Sequence, residues 1–327
     1  MKIELADFSH KRELIELWQE AFGDSEEFIL SFLNGYLIPE YNVPVVVVGG
    51  RIVSALYLVE FELYSEMKII GNCAYLFAAA TLEKYRGRGY MSALMKYSAE
   101  LYKNRGVSAI FLFPQEGSEK LFGFYSQFGF SAVYQAKKIC GWENGARAGD
   151  LTGFRLINHA IDDVEVFDGL YKSYVEFTAG QPLSPLKDRL FYFKCASSYL
   201  EEADRYFAVF ERETGEKTET AENNVEKFCY VFYKKFENHY HIDDIIVAEY
   251  NKMRAGAKRN FEEITKLLAG FILNAGDNIK IEMNVPPESF SDSGNIKMAM
   301  ILSLNGQTES ILNNLSSPVY LNMYMNI

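Results

Sequence analysis

The stretch Tyr85-Arg86-Gly87-Arg88-Gly89-Tyr90-Met91 holds the residue types best suited to grip a phosphorylated ligand, two arginines interleaved with two glycines. Glycine lets the chain turn tightly and lets backbone approach a ligand. Guanidinium groups bind phosphate oxygens through charged, often paired, hydrogen bonds. Position adds to residue type. A small-residue apolar run, Asn72 to Leu82, ends just before the stretch and has the length and continuity of a buried strand. Met91, Leu94, Met95, Leu101 and Tyr102 then recur at the spacing of one helix face. At such a strand-loop-helix junction the first helical N–H groups lack intrahelical acceptors, and the helix dipole adds partial positive charge. An anion is favoured there, so the expected ligand is a phosphorylated cofactor with a pyrophosphate or sugar phosphate.

Spacing excludes two common cofactors. A P-loop needs G-x-x-x-x-G-K-[ST], and a dinucleotide fold needs G-x-G-x-x-G with an acidic residue about twenty positions on; neither is present in this loop. The loop instead resembles the acetyl-CoA signature of the GNAT acetyltransferase superfamily, R-x-x-G-x-G/A, read as Arg86, Gly87, Arg88, Gly89, Tyr90 and Met91. Met91 departs from the pattern, standing where the family has Gly or Ala. The resemblance extends on both sides. Ala80 to Arg86 resembles the end of the family's fourth strand, and Phe124-Tyr125-Ser126-Gln127-Phe128-Gly129-Phe130 resembles its Y-x-x-x-G-F element.

The resemblance implies a fold in which the fourth and fifth strands splay apart and the pantetheine arm of acetyl-CoA pairs with strand backbone in the gap. Main-chain groups of Ala79 and Thr81 are then expected to hold the thioester and pantetheine, and Arg86, Gly87, Arg88, Gly89, Tyr90 and Met91 the phosphates. Small side chains at Ala78, Ala79 and Ala80 leave room for that arm, although a strand under a close-packed helix has the same composition. Tyr125 occupies the position of the family's tyrosine acid, whose hydroxyl serves the departing thiolate. Its motif context singles it out from the 22 tyrosines of the chain. For the general base, Glu60 and Glu62 are two apart on a strand and share a face, as solvated strand carboxylates also do. Ordered water and a terminal carboxylate at Ile327 are the other options.

Size and composition agree with a soluble enzyme of two lobes. The chain has 327 residues, 49% of them hydrophobic, and no stretch long and apolar enough to cross a bilayer. Its N-terminus carries charges where a signal peptide has an apolar core, so a cytoplasmic location is expected. Cys73, Cys140, Cys195 and Cys229 form no C-x-x-C pair and read as reduced, buried thiols. A net charge of −11 disfavours nucleic acid and suits a cationic amine acceptor, small molecule or peptide.

Periodicity and turn residues assign strands at Lys2 to Leu5, Val45 to Val48 and Ile52 to Leu63, the last two around Gly49-Gly50-Arg51. Further strands are expected at 72 to 82, Ala109 to Phe113 and Phe130 to Cys140. Helices are expected at Arg12 to Phe22, at Glu26 to Leu37 with Asp24 or Ser25 as N-cap, at Arg88 to Lys103 and at Ser118 to Gln127. This order matches a GNAT catalytic domain over 1–142. A polar, glycine-bearing linker follows over 143–160.

In 161–327, helices are expected at Val164 to Phe177, Lys187 to Tyr199 and Phe261 to Asn274. Strands are expected at Tyr206 to Glu211, Phe228 to Lys234, Tyr240 to Val247, Ile279 to Val285, Lys297 to Leu304 and Val319 to Tyr324. The order repeats that of the first lobe, which implies a second, degenerate GNAT-like lobe in a mixed α/β fold. Its loop Glu249 to Lys258 holds Arg254 and Gly256 without the signature spacing. The whole resembles the two-lobed proteins related to the enhanced intracellular survival acetyltransferases, here expected to lack their sterol-carrier-like domain.

His239 and His241 share a strand face and could bind metal, but sequence spacing supplies no third ligand, so an ordinary strand pair with no metal is expected. Aromatic residues, 15% of the chain, read as core, with some available to line a cleft for a cationic amine. With no histidine near Cys73 in sequence, acetyl transfer is expected to be direct, in a ternary complex. An acyl-CoA-binding regulatory module without turnover is the alternative; Tyr125 favours the enzyme. Homo-oligomerisation is left open.

Overall fold

The structure is a computed structural model that describes residues 1–35, 43–140, 151–213, 225–237, 239–248, 257–273, 280–285 and 295–315. The chain opens with β1 (Lys2–Leu5), α1 (Lys11–Phe22), α2 (Glu26–Gly35), β2 (Pro44–Val48), β3 (Arg51–Ser65) and β4 (Lys68–Thr81). It continues through α3 (Tyr90–Asn104), β5 (Ala109–Leu112), α4 (Glu119–Ser126) and β6 (Ser131–Cys140). Then come β7 (Phe154–Asn158), α5 (Val164–Ala179), β8 (Ser184–Leu186), α6 (Arg189–Leu200), β9 (Arg205–Glu213), β10 (Val225–Phe236) and β11 (His239–Val247). The described part ends with α7 (Ala257–Leu273), β12 (Lys280–Val285), β13 (Asn295–Ser303) and α8 (Gly306–Asn313).

Contacts divide the chain into two units: Met1–Leu63 with Ile69–Val133 and Met298–Ser316, and Tyr64–Lys68 with Tyr134–Lys297 and Ser317–Ile327. In the first, the strand order is β1-β2-β3-β4-β5-β13, with β4 and β5 parallel and β13 antiparallel to β5. Helix α1 buries Leu14, Ile15, Leu17 and Trp18, the i, i+1, i+3, i+4 stripe of an amphipathic helix. It ends at Gly23, whose φ of 80° closes a left-handed C-cap. Ser25, not Asp24, caps α2, its hydroxyl accepting from the Phe28 N–H at 3.1 Å. Asp24 instead accepts the Trp18 indole N–H at 2.7 Å. The Trp18 ring packs on Tyr57, Phe32 and Phe77, and Phe77 stacks on Phe32 with centroids 4.5 Å apart.

Gly49 and Gly50, both at positive φ, make the tight turn between β2 and β3. The β3–β4 turn gave no such signal. Glu66 and Met67 take φ of 47° and 70°, left-handed values that sequence assigns to Gly or Asn, and so β4 begins at Lys68 rather than Asn72. That turn belongs to the second unit, where its two N–H groups donate to Gln181 O and Ala179 O.

The second unit has the strand order β7-β9-β10-β11-β12-β6, with β11 and β12 parallel and β6 antiparallel to β12. Asp163 and Asp188 cap α5 and α6 by accepting the N–H groups of Val166 and Phe191. Phe210, Val231, Ile245, Leu268 and Ile281 form the centre of its core. The topology repeats that of the first unit, with β7, β9, β10, β11 and β12 standing for β1 to β5. The sixth strands are exchanged in sequence: β6 completes the second sheet and β13, from the end of the chain, the first.

Two sequence expectations therefore need correction. Residues 298–316 belong to the first unit, not the second domain, because β13 pairs Met300 to Ser303 with Leu112 to Ala109. The expected linker 143–160 contains β7, a five-residue strand that pairs with β9 and buries Phe154 in the core of the second unit. Strand β8 and helix α8 correspond to no sequence expectation. Leu37, Trp142, residues 143–150, the loop from Glu249 to 256, the strand Val319 to Tyr324 and Ile327 lie outside the described residues. Among the described residues no helix is long and apolar enough to cross a membrane.

Candidate active site

Strand β4 positions the site through a backbone irregularity. Its ladder with β5 runs from Cys73↔Ala109 to Leu76↔Leu112 and ends there. Two residues later Ala78 adopts φ of 38°, a left-handed value that costs an L-residue about 1–2 kcal/mol. Such a kink re-aims the strand and frees backbone groups from pairing. Past it, Ala80 O accepts the Ser54 hydroxyl at 2.9 Å, and Ser54 and Thr81 share a hydroxyl contact at 2.8 Å, so β4 stays fastened to β3 while diverging from β5.

A cavity of about 480 Å³ opens at this point, within the range of small-molecule sites (~300–1,000 Å³). Ala79, Thr81, Arg86, Gly87, Gly89, Tyr90 and Met91, all expected ligand residues, line it. Gly89 is the N-cap of α3, with φ of 78° and no side-chain cap bond. Its carbonyl accepts from Ala93, so the N–H groups of Tyr90, Met91 and Ser92 precede the first helical bond and lack intrahelical acceptors, an arrangement that favours an anion. Gly87 is left-handed as well, at 73°, and a Cβ added at either glycine would meet no atom within 4 Å. Conformation, and not crowding by the protein, therefore requires glycine here.

Arg86 and Arg88 differ in role. Arg86 lines the cavity while its Nε donates to Thr81 O at 3.1 Å, tying the loop to the end of β4. Arg88 is not among the lining residues. Its Nη2 donates to Lys84 O at 3.0 Å and its guanidinium lies over the Tyr85 ring at 5.3 Å, so it braces the turn. Spacing alone could not separate the two. Sequence reasoning also missed Ala21 and Phe22 at the end of α1, Ser92, and Phe124, all of which line the cavity. The only sequence signal for the first two is that they close the apolar helix preceding Gly23.

Residues 2–133 match the model of the acetyltransferase (GNAT) domain. These residues are a GNAT acetyltransferase domain. The GNAT domain covers the first unit up to Val133, while the fold likeness is wider. A probable N-acyltransferase from Enterococcus faecalis V583 aligns over 94% of this chain and 73% of its own, with 15% identity and a TM-score of 0.69. A GCN5-related N-acetyltransferase from Anabaena variabilis ATCC 29413 aligns over 93% and 73%, with 13% identity and a TM-score of 0.65. Eis1 from Mycobacterium abscessus aligns over 94% and 75%, with 14% identity and a TM-score of 0.61. At such identities the likeness is one of fold, and it runs through both units. Comparison with curated proteins gives no match.

Within the GNAT domain, Tyr125 lies on α4 beside the cavity-lining Phe124, its ring edge-on to Phe124 and Phe130 at 5.3 and 6.0 Å. Tyr125 itself is not a lining residue. Burial raises its phenol pKa, which keeps the hydroxyl protonated. Gly129 of the same motif takes φ of 90°, and a Cβ there would come within 3.2 Å of Leu302 on β13, so the turn after α4 packs directly on the exchanged strand.

Glu60 and Glu62 are exposed and share a face of β3, as expected. Cys73 Sγ lies against the carbonyls of Phe61 and Glu62, which places both glutamates level with Cys73. Ala78 lies five positions beyond Cys73 on β4, about 17 Å along the chain at strand rise. Neither carboxylate therefore reaches a group held at Ala79 without intervening water. Cys73 is fully buried, and burial, with the Glu60 charge adding, pushes its thiol well above the ordinary range, so no thiolate nucleophile is available there.

Proposed function

We propose that this chain is an N-acetyltransferase that takes the acetyl group from acetyl-CoA and passes it directly to an amine in a ternary complex. One observation carries the reading: the N-terminus of α3 and the β4 backbone just past the Ala78 kink line the same cavity of the GNAT domain. The amides of Tyr90, Met91 and Ser92, with Arg86 beside them, suit the pyrophosphate. Backbone of Ala79 and Thr81, released from β5, suits the pantetheine arm. Acetyl-CoA supplies an activated acyl carbon and a thiol leaving group.

The chain's own contribution is to hold that carbon in place and to manage protons. The Tyr125 hydroxyl, protonated through burial, donates toward the departing sulfur. The amine must arrive neutral; its proton leaves to water, since Glu60 and Glu62 lie too far along β3. The raised thiol pKa values of Cys73, Cys195 and Cys229 support direct transfer over an acyl-enzyme. A net charge of −11 favours a cationic acceptor such as a polyamine, an aminoglycoside or a basic peptide, and a cytoplasmic enzyme fits this reading. The test follows thiol release from acetyl-CoA across polyamines, aminoglycosides, amino acids and peptides. Release above background with at least one amine is expected. Tight acetyl-CoA binding without release for any acceptor would instead assign the chain to a regulatory acyl-CoA-binding role.

A further inference from the structure

His239 and His241 alternate along β11, so both rings project from one face of the second sheet. A third ligand is absent from their sequence neighbourhood, but the sheet supplies one. The parallel ladder of β11 and β12 sets Glu282 directly opposite His241, on the same face. The ligand atoms of His239, His241 and Glu282 all lie within 4.8 Å of one another. The two imidazole rings stand edge to face, at 88° to each other with centroids 6.4 Å apart. His241 and Glu282 are about a quarter exposed, which leaves room for water at a fourth position.

The surroundings of His241 match what a metal-ligating histidine requires. Its Nδ1 lies 3.5 Å from Glu282 Oε1, on the ligand side, while its Nε2 lies 3.3 Å from Asp243 Oδ1. A carboxylate that takes the far ring N–H fixes the tautomer and raises the basicity of the coordinating nitrogen. Asp243 is itself held: the Tyr199 hydroxyl donates to its Oδ2 at 2.6 Å, and Lys234 Nζ lies 3.8 Å from Oδ1.

We propose that the second unit binds one divalent transition-metal ion of the zinc class through His239, His241 and Glu282, with Asp243 as the positioning residue behind His241. Two imidazoles and a carboxylate suit zinc and its neighbours and not magnesium or calcium, which take oxygen donors. Tetrahedral arms of ~2.1 Å require donor separations of about 3.4 Å, reached from 4.8 Å by side-chain rotation while the strand ladder stays fixed. The ion clamps β12 to β11 across a ladder of only His239↔Lys280 to Ile242↔Met283.

The test uses the full-length, untagged chain treated with EDTA and titrated with zinc chloride by calorimetry, with cobalt(II) absorption as an independent reporter of ligand geometry. One equivalent is expected, with intense visible cobalt bands. His241→Ala and Glu282→Gln each lower affinity at least tenfold and abolish those bands, and Asp243→Asn lowers affinity ~10–100-fold. A His10→Asn, His159→Asn double variant, which removes the other two of the four histidines, keeps both signals. Circular dichroism in EDTA verifies that each variant is folded. Should a histidine variant fail to fold, the wild-type cobalt spectrum and the surface change Glu282→Gln decide. Wild-type protein that binds no zinc, or binding unchanged by Glu282→Gln, overturns the site; so does magnesium competing with zinc at equal concentration.

Discussion

Replacing Gly89 by glutamate separates what the loop does for the fold from what it does for a ligand. At φ of 78° any L side chain costs about 1–2 kcal/mol. No clash adds to this, because a Cβ there meets nothing within 4 Å. The new carboxylate sits at the N-terminus of α3, where the helix dipole returns about 0.3–1 kcal/mol. Net destabilisation is therefore about 1 kcal/mol, a few degrees of melting temperature. For a bound phosphate the balance is reversed. A unit negative charge ~5 Å away, at an effective dielectric of about 20, repels by about 3 kcal/mol, which is roughly 200-fold in affinity. Calorimetric titration with acetyl-CoA reads the affinity, and denaturant unfolding reads the stability. Gly89→Ala is the control: it carries the same backbone strain without the charge, so its affinity stays within about tenfold of wild type while stability falls similarly. A folded Gly89→Glu protein that binds acetyl-CoA within about fivefold of wild type would refute the assignment of the phosphates to this helix terminus.

Two further outcomes can be checked directly. Tyr125→Phe removes the proposed proton donor and little else, so turnover should fall ~10²–10⁴-fold with acetyl-CoA affinity unchanged; an undiminished rate rules out the role. Stability should decline at alkaline pH. The thiols of Cys73 and Cys229 and the phenols of Tyr230 and Tyr233, the latter two pushed up to about 12, ionise later in the folded than in the unfolded chain. The unfolded state thus binds fewer protons, and folding stability drops as pH rises above about 8.5, more steeply above about 10. Melting temperatures that stay level from pH 7 to 10.5 would contradict this.

Local sequence was informative wherever a residue's own conformational needs coincided with its structural role. Gly49-Gly50 marked a hairpin because only positive φ closes it. The apolar stripe of α1 and the glycine loop before α3 were readable for the same kind of reason. It failed where a distant partner imposed the conformation. Glu66 and Met67 take left-handed values that their side chains disfavour, in a turn whose N–H groups are bound by Ala179 and Gln181. Ala78 is strained at the point where β4 leaves β5, and nothing in an Ala-Ala-Ala run announces which alanine bends. Arg86 and Arg88 are alike in sequence two positions apart, and only the structure divides the cavity-lining arginine, bonded to Thr81 O, from the one that braces the turn through Lys84 O.

Periodicity and backbone freedom within a few residues thus made legible the glycine loop before α3, the helices and strands of both halves other than β7, β8 and α8, and the motif that singles out Tyr125. Only long-range pairing makes β13 complete the first unit's strand set and β6 the second's, sets Glu60 and Glu62 level with Cys73, five positions before the kink, and brings Glu282 to His239 and His241. Those are consequences of strand register. Register is set by pairings between segments far apart in the chain, which leave no pattern in either segment alone.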